Sequence, residues 1–189
     1  MQKNRRKTLK QIAVVATTLG VAGCSNSADS GTAESENGTA EPGNSGSTNQ
    51  EESDYTVGMY TDLYNDPVGL HIQPGETVSF KLVSGAHSAT AYHPDNENAL
   101  RRRIPEGAEA WDTGVFGDTG TTREVTFETE GTHDYYCIPH KMVGMVGRIV
   151  VGEPGGPAEE SENPDMKLPD SQRIVDEDKV TWEDWQSNV

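Results

Sequence analysis

The chain has 189 residues, a hydrophobic content of 32% and a formal net charge of -16. So little apolar material cannot pack all of it into one core, which leaves room for linker or tail. The charge excludes nucleic acid as a partner through like-charge repulsion and suits a surface that works in strong brine, where salt screens self-repulsion.

Residues 1–23 hold five of the fifteen basic residues and no acid. The stretch "NRRKTLK" precedes the apolar run "QIAVVATTLGVAG", which has the length of a signal h-region and is too short to span a bilayer. The run ends in "VAGC", which resembles the lipobox of exported lipoproteins, and Arg5-Arg6 resembles a twin-arginine export signal, with Thr8 where an aromatic is more usual. These resemblances imply that Cys24 becomes a lipidated N-terminus on the extracytoplasmic face of the cell membrane. An acylated Cys24 cannot pair with Cys137, the only other cysteine. Cys137 is then a free thiol outside the cell, where exposed thiols oxidise unless something such as a metal protects them.

Residues 24–54 are rich in Ser, Gly, Thr, Asn and Glu and read as a disordered linker. Thirty such residues reach about 30 Å, enough to tether a head to a membrane. Asn37 in "NGT" matches a glycosylation sequon.

Residues 55–152 alternate short β-prone runs ("YTVGM", "TVSFKLV", "REVTFET", "VGRIVVG") with turn signals ("NDP", "QPGE", "GDTGT", "TEGT"). No long helical pattern intervenes, so this is an all-β domain, a sandwich or barrel. Val78, Phe80 and Leu82 alternate with Ser79 and Lys81, as a strand with one buried face should. Residues 153–189 are acidic, with eleven carboxylates against Lys167, Arg173 and Lys179. Ile174, Val175, Val180, Trp182 and Trp185 give this tail enough apolar surface to strap back onto the domain. Arg101–Arg103 form a basic island expected to pair with Asp95, Glu97, Glu106 and Glu109, or else to dock an acidic partner.

The stretch "YYCIPHKMVGMVGRIVV" carries the chemistry. A thiolate (Cys137), an imidazole (His140) and a thioether (Met145) come from one loop, in which Pro139, Gly144 and Gly147 favour a tight fold. Soft sulfur with imidazole suits copper, and two histidines, one cysteine and a weak methionine form the blue-copper electron-transfer set. The second histidine must come from elsewhere.

This loop resembles the Cys-x-x-His-x-x-x-x-Met loop of plastocyanins, pseudoazurins and halocyanins, and "RIPEGAEAW" is pseudoazurin-like. The resemblance covers residues 55–152 and implies a cupredoxin: a Greek-key β-sandwich holding one type 1 copper ion. It places the first histidine ligand at His87 in "SGAHSATAY", with His93 and His71 as rivals. His71, His93 and His133 are otherwise surface or partly packed histidines. The family has asparagine where this chain has Ser88. Serine keeps the backbone N–H that bonds the cysteine sulfur, while the side-chain lock between the two ligand loops is left open because Ile138 also lacks a hydroxyl. The resemblance further implies an electron carrier rather than an enzyme, a monomer exchanging electrons with redox proteins of a membrane electron-transport chain. Met142 and Val143 would form an apolar patch round His140, or else face the core. Tyr136 would mark a second electron route. With five histidines and no His-x-His, the chain lacks the extra copper sites of multicopper enzymes. Copper storage or delivery is the alternative function.

Overall fold

The computed structural model describes residues 55–188. The signal-like segment, Cys24 and Asn37 lie outside the described residues. Two sheets face each other. In one, the order is β2 (Tyr64–Asp66), β1 (Tyr55–Tyr60), β4 (Glu76–Leu82), β6 (Thr122–Phe127). In the other it is β5 (Thr90–Ala91), β7 (Gly131–Tyr136), β8 (Val146–Val151), β3 (Gly69–Ile72), β9 (Lys179–Val180). The chain changes sheet at every step from β2 to β7, the crossing pattern of a Greek-key sandwich. The β1–β4 and β3–β8 pairs are parallel and the remaining pairs antiparallel.

The core between the sheets follows the period-two pattern. Val78, Phe80 and Leu82 point inward at 0% exposure. Ser79 is also covered, because its cross-strand partner Glu124 folds over it and accepts its hydroxyl at 3.1 Å. On the edge strand β6 only Phe127 is fully buried, and charged Arg123 and Glu124 face solvent, which blunts the edge.

β7 and β8 are buried along their whole length. Tyr135, Ile149 and Val151 face the inter-sheet core, while Tyr136, Val146 and Val150 face a second cluster on the outer side. That outer cluster is roofed by the tail, which lies in the same compact unit as the sandwich. Leu168, Ile174 of helix α1 (Ser171–Glu177), Val180 of β9 and Trp185 of helix α2 (Trp182–Gln186) supply the roof. Gly69 of β3 lets α1 sit down, since a Cβ there would meet Ile174 at 2.6 Å. The helices and β9 are additions to the strand-only reading of the sequence, and their caps explain them. Asp170 accepts from the backbone of Gln172 and Arg173, and the Thr181 hydroxyl accepts from Asp184 N–H.

A buried polar knot fastens tail to sheet. Asp134 on β7, 0% exposed, accepts from Arg103 Nε at 2.8 Å, Arg148 Nε at 2.7 Å and Asn163 Nδ2 at 3.1 Å. Arg103 also donates to the carbonyls of Ala158 and Ser161. The basic island is therefore corrected. Arg103 pairs with a carboxylate thirty-one residues away rather than with Asp95, Glu97, Glu106 or Glu109. Arg102 turns to His93 and the carbonyls of Pro105 and Ala108. Arg101 is exposed.

Candidate metal centre

At one end of the sandwich three side chains converge. Cys137 directly follows β7 in extended conformation. Ile138–Val143 then form a 3₁₀ turn that carries His140, with Pro139 in the first turn, and Gly144 closes it with φ of 86°. Met145 leads into β8, fully buried, and Cys137 N–H donates to its carbonyl at 2.9 Å, which closes the hairpin. His87 comes from the other side. It follows a left-handed Gly85, and its backbone is pinned by reciprocal hydrogen bonds with Phe116 at 3.1 and 2.9 Å. Gly85 also gives room, since a Cβ there would meet His87 Nε2 at 2.8 Å.

The Nδ1 atoms of His87 and His140 lie 3.1 Å apart, and Cys137 Sγ lies 3.6 and 3.4 Å from them. Among the described residues this is the group of such side chains able to hold a metal ion. A point equidistant from the three atoms lies ~2.0 Å from each, the length of a metal–nitrogen bond, and a metal–sulfur bond of ~2.3 Å needs only a small outward shift of sulfur. Burial pushes the Cys137 thiol up, against hydrogen bonds from Ser88 and His140. Burial, then the neighbouring His140, pushes His87 down. The pocket thus offers two imidazole nitrogens and a sulfur whose charge requires a cation beside it, and the soft sulfur and nitrogen donors fit copper.

The lock between the two ligand segments is present in a different form. Ser88 N–H reaches Cys137 Sγ at 3.5 Å, and Ser88 Oγ accepts from the backbone N–H of Ile138 at 2.8 Å. The Ser88 hydroxyl continues to Thr90 at 3.0 Å, and Thr90 donates to Asp112 at 2.7 Å. Ile138 needs no hydroxyl because its main chain does the bonding. Thr90 and Asp112 went unnoticed in the sequence. The only hint was the polar Ser88-x-Thr90 alternation on a short strand.

The other histidines stand elsewhere. His71 Nε2 bonds the Gly152 carbonyl. His93, 8% exposed, accepts from Asp95 N–H and contacts Arg102. His133, expected at or near the surface, is 2% exposed and bonds the Thr129 carbonyl at 2.8 Å. Gly147 serves packing rather than loop folding, since a Cβ there would strike the Tyr135 hydroxyl at 2.3 Å. Met142 and Val143 face solvent, 90% and 62% exposed, beside a half-buried His140. Tyr136 lies on the opposite strand face from Cys137, as alternation requires. Its ring is 0% exposed beneath the tail, and its hydroxyl donates to the Glu97 carbonyl.

Residues 53–152 match the copper binding proteins of the plastocyanin/azurin family. The chain is similar to the pseudoazurin of Methylorubrum extorquens, 31% identical over 88 residues, covering 47% of this chain and 51% of that protein. It is similar to the plastocyanin of Prochlorothrix hollandica, 34% identical over 96 residues, covering 49% of this chain and 65% of that protein. The chain thus spans between half and two thirds of the length of these two relatives. Among solved structures it is similar to a pseudoazurin from Methylobacterium extorquens AM1, at 24% identity and a TM-score of 0.44, covering 66% of this chain and 95% of that one.

Proposed function

Because the chain belongs to the plastocyanin/azurin family of copper-binding proteins, we propose that it is a one-electron carrier whose copper is held by His87, Cys137, His140 and Met145. The observation that carries this reading is the triangle of His87 Nδ1, Cys137 Sγ and His140 Nδ1, with sides of 3.1 to 3.6 Å.

Bound copper supplies a couple between its +1 and +2 states. The chain supplies rigidity and insulation. Cys137 and Met145, both 0% exposed, exclude water, and the Ser88 hydroxyl and the β7–β8 hairpin fix the two ligand segments against each other. A site that moves little on changing oxidation state exchanges electrons with a low barrier. Four protein ligands leave no position for a substrate, whereas catalytic metals keep one open. His140 is the partly exposed member, so electrons enter and leave past its ring, through a rim formed by Met142 and Val143. The partner is a redox protein with an apolar contact patch. The buried sulfur ligands argue against storage or delivery, which needs accessible donors. The export-like and lipobox-like sequence before Cys24 supports a carrier tethered to the outer face of the membrane.

Voltammetry of the copper-loaded protein tests the function. The expected result is one reversible one-electron wave and fast exchange with a small redox protein, slowed at least tenfold by Met142→Lys/Val143→Lys. A copper-loaded protein with no reversible wave would refute electron carriage.

A further inference from the structure

The loop between Cys137 and Met145 has a solvent side and a tail side. Lys141, the residue after His140, is 5% exposed, and its Nζ lies 2.8 Å from Asp165. The ammonium also stands 5.4 Å from the ring centre of Tyr92 and 5.6 Å from that of Tyr136. At the end of the turn, a Cβ on Gly144 would meet Met166 at 3.4 Å. Asp165 is itself held. Tyr92 Oη donates to its carboxylate, and its N–H donates to Asn163 Oδ1 at 3.0 Å. Asn163 Nδ2 donates in turn to Asp134 in the middle of β7. Polar contacts therefore run unbroken from the sheet, through residues 163–165, to the loop.

We propose that Asp165, aided by Met166, is a positioning residue for the metal centre, clamping Lys141 and Gly144 so that His140 and Met145 keep their places. This rests on reading that loop as the copper-ligand loop. The loop needs such a clamp. It is a short 3₁₀ turn, whose i→i+3 bonds are poorer than those of an α-helix, and Met142 and Val143 on its solvent side are exposed. An ion pair this covered is hard to open, because removing one partner leaves the other charge buried and uncompensated. Asp165 and Met166 lie beyond residues 53–152, the stretch matched to the family, so the tail here supports the site from outside it.

The test uses the full chain with Asp165→Asn, Asp165→Glu and, as a control, Ile174→Val, which loosens the tail away from the loop. Amide hydrogen exchange is followed at residues 140–146 of the copper-free protein, and copper release to a chelator in the loaded protein. Asp165→Asn should speed both at least tenfold. Asp165→Glu should restore most of the protection, and Ile174→Val should leave residues 140–146 near wild type. Should Asp165→Asn fail to fold, Met166→Ala is expected to speed the same amides by a smaller factor. Loop exchange in Asp165→Asn no faster than in Ile174→Val would overturn the clamp. A wild-type protein that takes up no copper would instead overturn the ligand reading, while the copper-free exchange still reports on the clamp.

Discussion

Ser88 illustrates how one hydroxyl joins two ligand segments. Its Oγ accepts the Ile138 N–H at 2.8 Å, and its own N–H faces the Cys137 sulfur. Ser88→Ala keeps the second contact and loses the first, leaving a part-buried donor unpaired. That should cost about 1–2 kcal/mol in urea unfolding while copper still binds; an unchanged midpoint would show that water replaces the hydroxyl without loss. His133 makes a separate prediction about pH. Burial is the main cause that pushes it down to about 4, against the Thr129 hydrogen bond and the Asp134 charge. The unfolded chain keeps a value of about 6.5, so between these limits only the unfolded state takes up the proton. Stability from this residue is therefore full above about 6.5, falls as pH drops toward 4, and is flat below, a change of up to about 3 kcal/mol. In copper-free protein, the gap between wild type and His133→Gln should shrink across that window, and a gap independent of pH would count against it.

At the scale of elements, the tail and β7 form one mechanical unit. Asp134 is the hub, with two guanidinium groups and Asn163 on a single buried carboxylate. Asp134→Asn would remove the carboxylate that Arg103 and Arg148 share, leaving Arg148 only the charges of Glu159 and Asp170, at a cost of about 3–5 kcal/mol. Thermal unfolding should shift sharply downward, with Trp185 fluorescence changing in the same transition as the strands. An early, separate tryptophan transition would mean that the tail is held independently. The strands were legible in the sequence because period-two patterns and turn residues are local. The nearness of Cys137 and His140 was legible because a single loop supplies both. The Asp134 knot was not, because its members are spread from residue 103 to 163 and only the folded sheet brings them together. The tail helices were half legible, since Asp170 and Thr181 are good N-caps, but segments of seven and five residues are too short for periodicity to show.

For the whole molecule, the layers decide which surface gives access to the metal centre. The tail roofs the outer sheet and buries Tyr136, while the loop end leaves Met142 and Val143 in solvent beside His140. On the proposed reading, a partner would dock at that apolar rim, and the net charge of -16 would keep acidic neighbours away from the rest of the surface. All of this depends on two imidazoles and a thiolate sharing one ion. The most direct test is the visible spectrum of purified protein titrated with copper(II), beside Cys137→Ser, His87→Ala and His93→Ala. The expected result is an intense blue sulfur-to-copper band saturating at one copper per chain, lost in Cys137→Ser, lost or strongly altered in His87→Ala, and unchanged in His93→Ala. Stoichiometric copper without that band, or a band that survives Cys137→Ser, would contradict the site.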